Sequence, residues 1–273
     1  MQIRTPAAVG MFYPGEASKL KKLIKDCIIN EFGPGTNNKQ YNDIIGMICP
    51  HAAYVYSGPI ACHSFQSIRK IPDLFIIIGP NHWSLGCNVA TMKDCRWQTP
   101  LGLVEVDSEA AEELKSDSIE IDFFSHTKEH SIEVQIPMLQ EFFPSGFKIL
   151  PIGLISQDKN TAIKIGHAVA KIAKSKNAMI IGSSDFTHYE PNDFAYAQDK
   201  ALIETILNMD IDAFYKVLEE KQVTACGYGA IASTIIACKE LGATKSTLLK
   251  YATSGDLSGE KTSVVGYGSI VFN

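Results

Sequence analysis

The chain has 273 residues and a mass of 29.9 kDa, which at about 150 residues per domain falls between one and two domains. Hydrophobic residues make up 45% and charged residues 20%, with a mean hydropathy of +0.02, so the disordered, collagen-like and low-complexity classes are excluded. A net charge of −5 and a pI of 5.8 argue against a general affinity for phosphate backbones or anionic membranes, and neither nucleic acid nor membrane is an expected partner.

Near the start, Ala7 to Tyr13 is apolar but sits between Pro6 and Pro14 with no small-residue cleavage site after it, so it reads as mature protein and the expected compartment is the cytoplasm. The sequence predicts a first helix over Glu16 to Asn30 and a surface turn over Gly33 to Asn38, too short to separate domains. Apolar, β-branched runs then alternate with helical periodicity. Strands are expected at Asp43–Cys49, Asp73–Gly79, Phe147–Gly153, Ala178–Ser183, Ser246–Thr253 and Ser263–Phe272. Helices are expected at Gly58–Arg69, Ser108–Lys115, Ser131–Phe143, Lys159–Lys174, Asp193–Asn208, Ile211–Glu220 and Gly229–Leu241, with Cys87 to Val106 an excursion of short strands and turns. In the helix from Ser131, residues Ile132, Ile136, Leu139 and Phe143 share one face. The pattern predicts an α/β fold: a single domain over 1–273 whose central sheet, largely parallel or mixed, is flanked by helices.

In such a sheet, ligands bind beyond the carboxyl ends of the strands. The run Ile44 to Cys49 leads into Pro50-His51, Leu74 to Ile78 into Gly79-Pro80-Asn81-His82, and Met179 to Gly182 into Ser183-Ser184-Asp185-Phe186-Thr187-His188. For any one of these histidines a hydrogen-bonded loop residue is the commoner outcome. Three at equivalent places define a candidate site for a metal or a proton transfer.

The seven cysteines are an odd number without a C-x-x-C pair and are expected mostly as reduced, buried thiols. Cys226 is the exception. It opens the helix at Gly229, where the helix dipole favours a thiolate, and it could ligate or attack; Cys238 and Cys49 read as core. His126-Thr-Lys-Glu-His130 matches the spacing of inverted zinc proteases, but the apolar helical face begins only at Ile132. His130 and Glu133, three apart at a helix start, are the better site candidates, with a capping or solvent-facing pair the equal alternative. Ser183 and Ser184 lack the G-x-S-x-G elbow, and there is neither a G-x-G-x-x-G after a strand nor a Walker A sequence.

Seven separated motifs, in order, carry a resemblance: Arg4-Thr-Pro-Ala-Ala-Val-Gly-Met-Phe-Tyr-Pro14, Pro50-His-Ala-Ala-Tyr-Val-Tyr-Ser-Gly58, Gly79-Pro-Asn-His82, Thr99-Pro-Leu-Gly102, Glu129-His-Ser-Ile-Glu-Val-Gln-Ile-Pro137, Ser183-Ser-Asp-Phe-Thr-His-Tyr189 and Cys226-Gly-Tyr-Gly-Ala-Ile231. Together they resemble the Memo family across nearly the whole chain. Ala53 departs from the glycine usual there, which touches loop geometry and leaves His51 intact. The resemblance implies a fold like that of class III extradiol dioxygenases, which hold Fe(II) with two histidines and a carboxylate. It places metal ligands on His51, His82 and Cys226, with Asp185 and His188 lining the pocket, His188 in the position of the dioxygenase acid/base, and Tyr54 nearby. A cysteine in place of the carboxylate argues against ring cleavage, because thiolate suits softer ions such as Cu(I) or Zn(II) and alters the iron potential.

Iron or copper is the ion the resemblance favours, with zinc the third choice, and the implied partners are a small-molecule or metal ligand, an AMMECR-like protein and a radical SAM protein. The leading function is metal-dependent redox chemistry or metal handling. A scaffold that keeps the pocket without turnover is the alternative, and a hydrolase using His126 and His130, or Cys226 and His188, is the third.

Overall fold

The computed structural model describes every residue except 37, 38, 42, 117 and 145, so the expected surface turn at Gly33 to Asn38 lies partly outside the described residues. Strand β3 (Leu74–Pro80) shows how the sequence builds the centre: Leu74, Ile76 and Ile78 pack into one apolar cluster and Phe75 and Ile77 into another. Successive side chains point to opposite faces of a strand, so a continuous apolar run means a sheet covered on both sides. Its neighbours are β8 (Lys148–Leu154), β9 (Ala178–Ser183) and, beyond β9, β2 (Gly46–Cys49), all parallel to it. Antiparallel β12 (Val264–Phe272) follows β2 and carries both β10 (His188–Glu190) and β11 (Ser246–Thr253) on its far side. At the other end β6 (Gly102–Val106) joins β8, then β5 (Cys95–Thr99) and β1 (Gln2–Arg4), while β4 (Val89–Thr91) pairs with β8 and with the two-residue β7 (Glu120–Ile121). The sheet is mixed, with a parallel centre, as expected.

One face is covered by α1 (Ala17–Ile29), α2 (Tyr54–Ser67) and α4 (Gln135–Phe142). The other is covered by α3 (Ser108–Leu114), α5 (Lys159–Ser175), α6 (Asn192–Leu207), α7 (Ile211–Lys221) and α8 (Tyr228–Glu240). A short helix α9 (Ser254–Ser258) starts with a capping box between Thr253 and Asp256. The total accessible surface is 11194 Å², close to the roughly 12,000 Å² that the mass alone implies. Among the described residues, no helix is long and apolar enough to cross a membrane.

Two helix starts differ from the sequence expectation. Helix α2 begins at Tyr54 rather than Gly58, because Pro59, which favours a first turn, is instead carried one turn inside. Helix α4 begins at Gln135 rather than Ser131: residues 131–134 form turns, with Gln135 and Ile136 donating their amides only three residues back, to Ile132 and Glu133. Strands β1 and β10 and helix α9 are too short for a periodic signal.

The N-terminal segment is fastened by a buried ion pair. Arg4 and Glu133, each almost inaccessible, bond directly; Arg4 also donates to the carbonyls of His126 at 2.8 Å and Glu129 at 2.5 Å and lies 4.0 Å over the Trp97 ring. Glu133 further accepts the amides of Ala7 and Ala8 and the hydroxyl of Tyr13. Every oxygen lone pair facing the chain is used, the condition under which a buried charge is tolerated. Arg4→Ala strands Glu133 without its counter-charge and should cost about 3–5 kcal/mol of unfolding stability in a urea titration. Lys22→Ala, which removes an exposed pair with Asp26, should leave the midpoint unchanged.

Candidate metal centre

Strand β9 lies between β3 and β2, in register with both: Ile78 sits opposite Gly182, and Cys49 opposite Ser183. The three carboxyl ends are therefore level, and the residues that follow them meet. The ring centroids of His51 and His82 are 5.2 Å apart, well inside the ~10 Å that equivalent positions on a parallel edge require. His130 joins from the turn before α4, with its ring 4.7 Å from that of His82 and 5.5 Å from that of His51. Cys226 arrives from the start of α8, its Sγ 3.1 Å from His51 Nε2. Gly227 permits this approach, since a Cβ there would lie 2.4 Å from the Ser183 carbonyl oxygen.

Two groups of ligand atoms result, each mutually within 4.8 Å: His51, His82 and His130, and His51, Asp185 and Cys226. His51 belongs to both. The trio implied by the family resemblance is thus distributed over two adjoining groups with His51 at their junction.

The hydrogen bonds fix which nitrogen of each ring is free. Ser183 Oγ donates to the Ser131 carbonyl at 2.7 Å and accepts from Gln135 Nε2 at 2.8 Å, so its single proton is committed. His51 Nδ1, 3.0 Å from that oxygen, must then be the donor, and Nε2 keeps its lone pair toward Cys226. His82 Nδ1 donates to Glu129 Oε1 at 2.9 Å, and His188 Nδ1 to the Thr224 carbonyl at 2.9 Å. In each ring Nδ1 is held by the protein and Nε2 is left for chemistry, the arrangement by which carboxylates and carbonyls orient ligating histidines.

Burial sets the titration of the centre. It pushes His51 well below the usual imidazole range, helped by the charge of His82, and it lowers His130 to about 4, helped by His51. For Glu129 burial acts upward, but the hydrogen bond from His82, with His130 and the Ser131 amide, prevails and holds it at about 2. Asp185 accepts the His51 amide at 2.8 Å, and burial raises its carboxyl. Burial also pushes the Cys226 thiol up, reinforced by the charge of Asp185. The sequence expectation of a thiolate favoured by the α8 dipole is overridden in the protein itself, and the proton would have to leave before this sulfur could coordinate an ion.

Two candidates fall elsewhere. Glu133 is buried in the Arg4 pair, and Tyr54 is buried with its hydroxyl donating to the Val134 carbonyl, so both support the centre from beneath. His126 does not align with His130. It is fully buried, 5.9 Å from the Trp97 ring, with neither ring nitrogen hydrogen-bonded among the described residues. That removes the zinc-protease pairing. Ser183 is no nucleophile either, because its proton is committed to Ser131. The cysteines are free, and all but Cys87 and Cys226 are buried, as expected. Glu129 and Gln135, which orient the centre, lie within the motif from Glu129 to Pro137 without being singled out there, and Thr224 lies outside every motif.

A two-sided α/β sheet with histidines and a cysteine gathered beyond its parallel strand ends defines the class: an α/β protein with a candidate metal centre at the sheet's carboxyl edge. The chain belongs to the Memo-like protein family, whose model matches residues 4–271. It is 59% identical over 273 residues to a MEMO1 family protein of Nitrosopumilus maritimus, covering 99% of both chains, and 43% identical to one of Methanopyrus kandleri, covering 98% of both. The crystal structure of an uncharacterized protein from Escherichia coli K12 shares the fold, with a TM-score of 0.58 at 12% identity over 85% of this chain and 100% of that one.

Buried His126, lowered to about 4 by burial and by Arg4, sets an acid limit. Its folded value lies below the unfolded ~6.5, so the unfolded state binds more protons and stability falls as pH drops through that window. The slope from this residue is roughly 1.4 kcal/mol per pH unit between pH 6.5 and 4. Urea midpoints of His126→Phe measured from pH 7 to 4 should show a correspondingly flatter acid decline than the parent chain.

Proposed function

We propose that the protein holds an iron or copper ion with His51, His82 and Cys226 and uses it in redox chemistry, with His188 and Asp185 handling protons. The observation that carries this reading is the set of fixed tautomers: His51 and His82 both spend Nδ1 on the protein and keep Nε2 free, while Cys226 Sγ stands 3.1 Å from one of those nitrogens. Two imidazoles and a thiolate suit Cu(I), iron and Zn(II), whereas a purely oxygen set would suit magnesium or calcium. Bound there, the ion would supply one-electron redox and Lewis-acid chemistry.

The chain's own residues do the rest. Glu129 holds His82 by both its backbone amide and its ring, so the imidazole keeps its direction. Phe12 stacks on His130 at 4.2 Å and keeps water from that flank. His188, anchored twice to Thr224, presents Nε2 as a proton acceptor. Asp185, buried with a raised carboxyl, provides a nearby group that can hold a proton.

The thiol proton and the imidazole protons compete with the ion, so affinity should fall on acidification and after oxidation of Cys226. In a chelator competition with Cu(I), Cys226→Ser should weaken binding sharply with an unchanged circular dichroism spectrum, and Glu129→Gln by about 10- to 100-fold. Unchanged Cu(I) affinity in Cys226→Ser overturns the ligand assignment.

A thiolate cannot bind bidentately, lies at about 2.3 Å from a zinc-sized ion rather than ~2.0 to 2.2 Å, and is itself oxidisable. Extradiol cleavage should therefore be inefficient. Fe(II)-reconstituted protein given catechol or protocatechuate in air should form the yellow ring-opened product well below about 1 s⁻¹.

A further inference from the structure

The group formed by His51, His82 and His130 is built differently from the group that contains Cys226. His82 follows β3 and His130 lies in the turn before α4, yet both rings lean on one carboxylate oxygen: Glu129 Oε1 is 2.9 Å from His82 Nδ1 and 3.3 Å from His130 Nδ1. The two rings are stacked, 19° from parallel with centroids 4.7 Å apart. His51 meets both nearly edge-on, at 79° to His82 and 85° to His130. One ring nitrogen from each residue therefore falls within 4.8 Å of the other two. A carboxylate only accepts, so Glu129 favours the proton on the facing Nδ1 of His82 and of His130 and leaves each Nε2 as a lone pair. Among the described residues, the Cys226 thiol beside His51 is the one protein donor that reaches any of these Nε2 atoms. Lone pairs gathered in this way stay unsatisfied until a proton or a cation stands among them.

The two donor sets also differ in kind. Three neutral imidazoles suit borderline divalent ions such as Zn(II), whereas a thiolate suits softer Cu(I). Glu129 stands behind two of the three rings as the carboxylate partner that fixes the direction of a ligating imidazole and raises its basicity. Phe12 covers one flank of His130, and His82, the exposed member, leaves the group accessible to an ion from solvent. His51 has a single free nitrogen, Nε2, because its Nδ1 is spent on Ser183, so it can serve one ion at a time.

We propose that His51, His82 and His130 form a second ion position, which takes a borderline divalent ion such as Zn(II) and alternates with the softer position at Cys226 through the shared His51. This rests on the reading of the centre as a metal site and gives His130 a ligand role that the first assignment does not use. The test takes the untagged, metal-free full chain and titrates it with Zn(II) and, anaerobically, with Cu(I), each against a competing chelator. Zn(II) should bind one-to-one. His130→Gln should weaken Zn(II) by more than the roughly 10- to 100-fold that losing a supporting residue behind a ligand costs, with an unchanged circular dichroism spectrum. Cys226→Ser should leave Zn(II) binding unchanged, and Cu(I) should show the opposite dependence on the two variants. Co(II) reads the donor atoms in the parent chain itself, where no variant has to fold. Imidazole ligation gives ligand-field bands alone, whereas a bound thiolate adds an intense sulfur-to-cobalt charge-transfer band, and the parent chain should lack that band. The proposal is overturned if the band appears, if Zn(II) gives no saturable one-to-one binding, if Cys226→Ser weakens Zn(II), or if folded His130→Gln binds Zn(II) as the parent does. It is equally overturned if His130→Gln weakens Cu(I) as much as Zn(II), which would make the two positions one. Cu(I) affinity in Cys226→Ser tests the thiolate ligand independently, so the two assignments fail separately.

Discussion

The carboxylate of Glu129 is the constraint on which the centre depends. It accepts the amide and the ring of His82, the amide of His130 and the amide of Ser131, while its own carbonyl receives Arg4. No lysine or arginine side chain takes those oxygens among the described residues, so backbone amides and imidazoles neutralise a buried charge. Charge-assisted bonds of this kind are roughly twice as strong as neutral ones, and each missing donor would leave part of a buried anion unsolvated. The loop after β3 and the turn before α4 are consequently fastened to a single side chain, and the N-terminal segment to the backbone carbonyl of the same residue. Because Arg4 grips the Glu129 carbonyl while pairing with Glu133, the outermost strand of the sheet reaches the candidate centre through two buried acids.

Much of the centre was legible because apolar β-branched runs mark buried parallel strands and polar residues after them collect at one edge. His51, His82 and Asp185 follow such runs directly, and no long-range information is needed to bring them together. The role of Glu133 was not legible. Its spacing from His130 suggests a shared face, but residues 131–134 form turns and the Glu133 carboxylate is taken by Arg4, Ala7, Ala8 and Tyr13, all distant in sequence. Nor can composition show that Ser183 has spent its only proton on Ser131; this follows from three neighbours distant in sequence, and it decides the tautomer of His51.

Cys226 shows two local rules in competition. A helix N-terminus favours thiolate, and the Asp185 amide does reach the sulfur at 3.3 Å. Desolvation and the neighbouring Asp185 charge outweigh that help, because burial disfavours any unpaired ion more than a partial dipole favours it. A soft cation between sulfur and imidazole would reverse the balance, since it supplies the missing opposite charge inside the same low-dielectric space. The fold therefore provides a thiol that burial keeps protonated and that would become a ligand only in the company of such a cation.

Tyr189 adds a constraint of a different kind. It has a backbone φ of 61°, leaves 77% of its surface exposed, and stands beside the His188 ring at the irregular pairing of β10 with β12. A left-handed conformation costs an ordinary residue roughly 1–2 kcal/mol, and glycine or asparagine would escape most of it. Substitution space at this position is consequently split by two unrelated criteria. Valine, isoleucine and threonine are disfavoured by the backbone before any ligand is considered, whereas glycine satisfies the backbone and forfeits the ring, so replacements there separate the geometry of the turn from whatever the aromatic surface contributes beside His188.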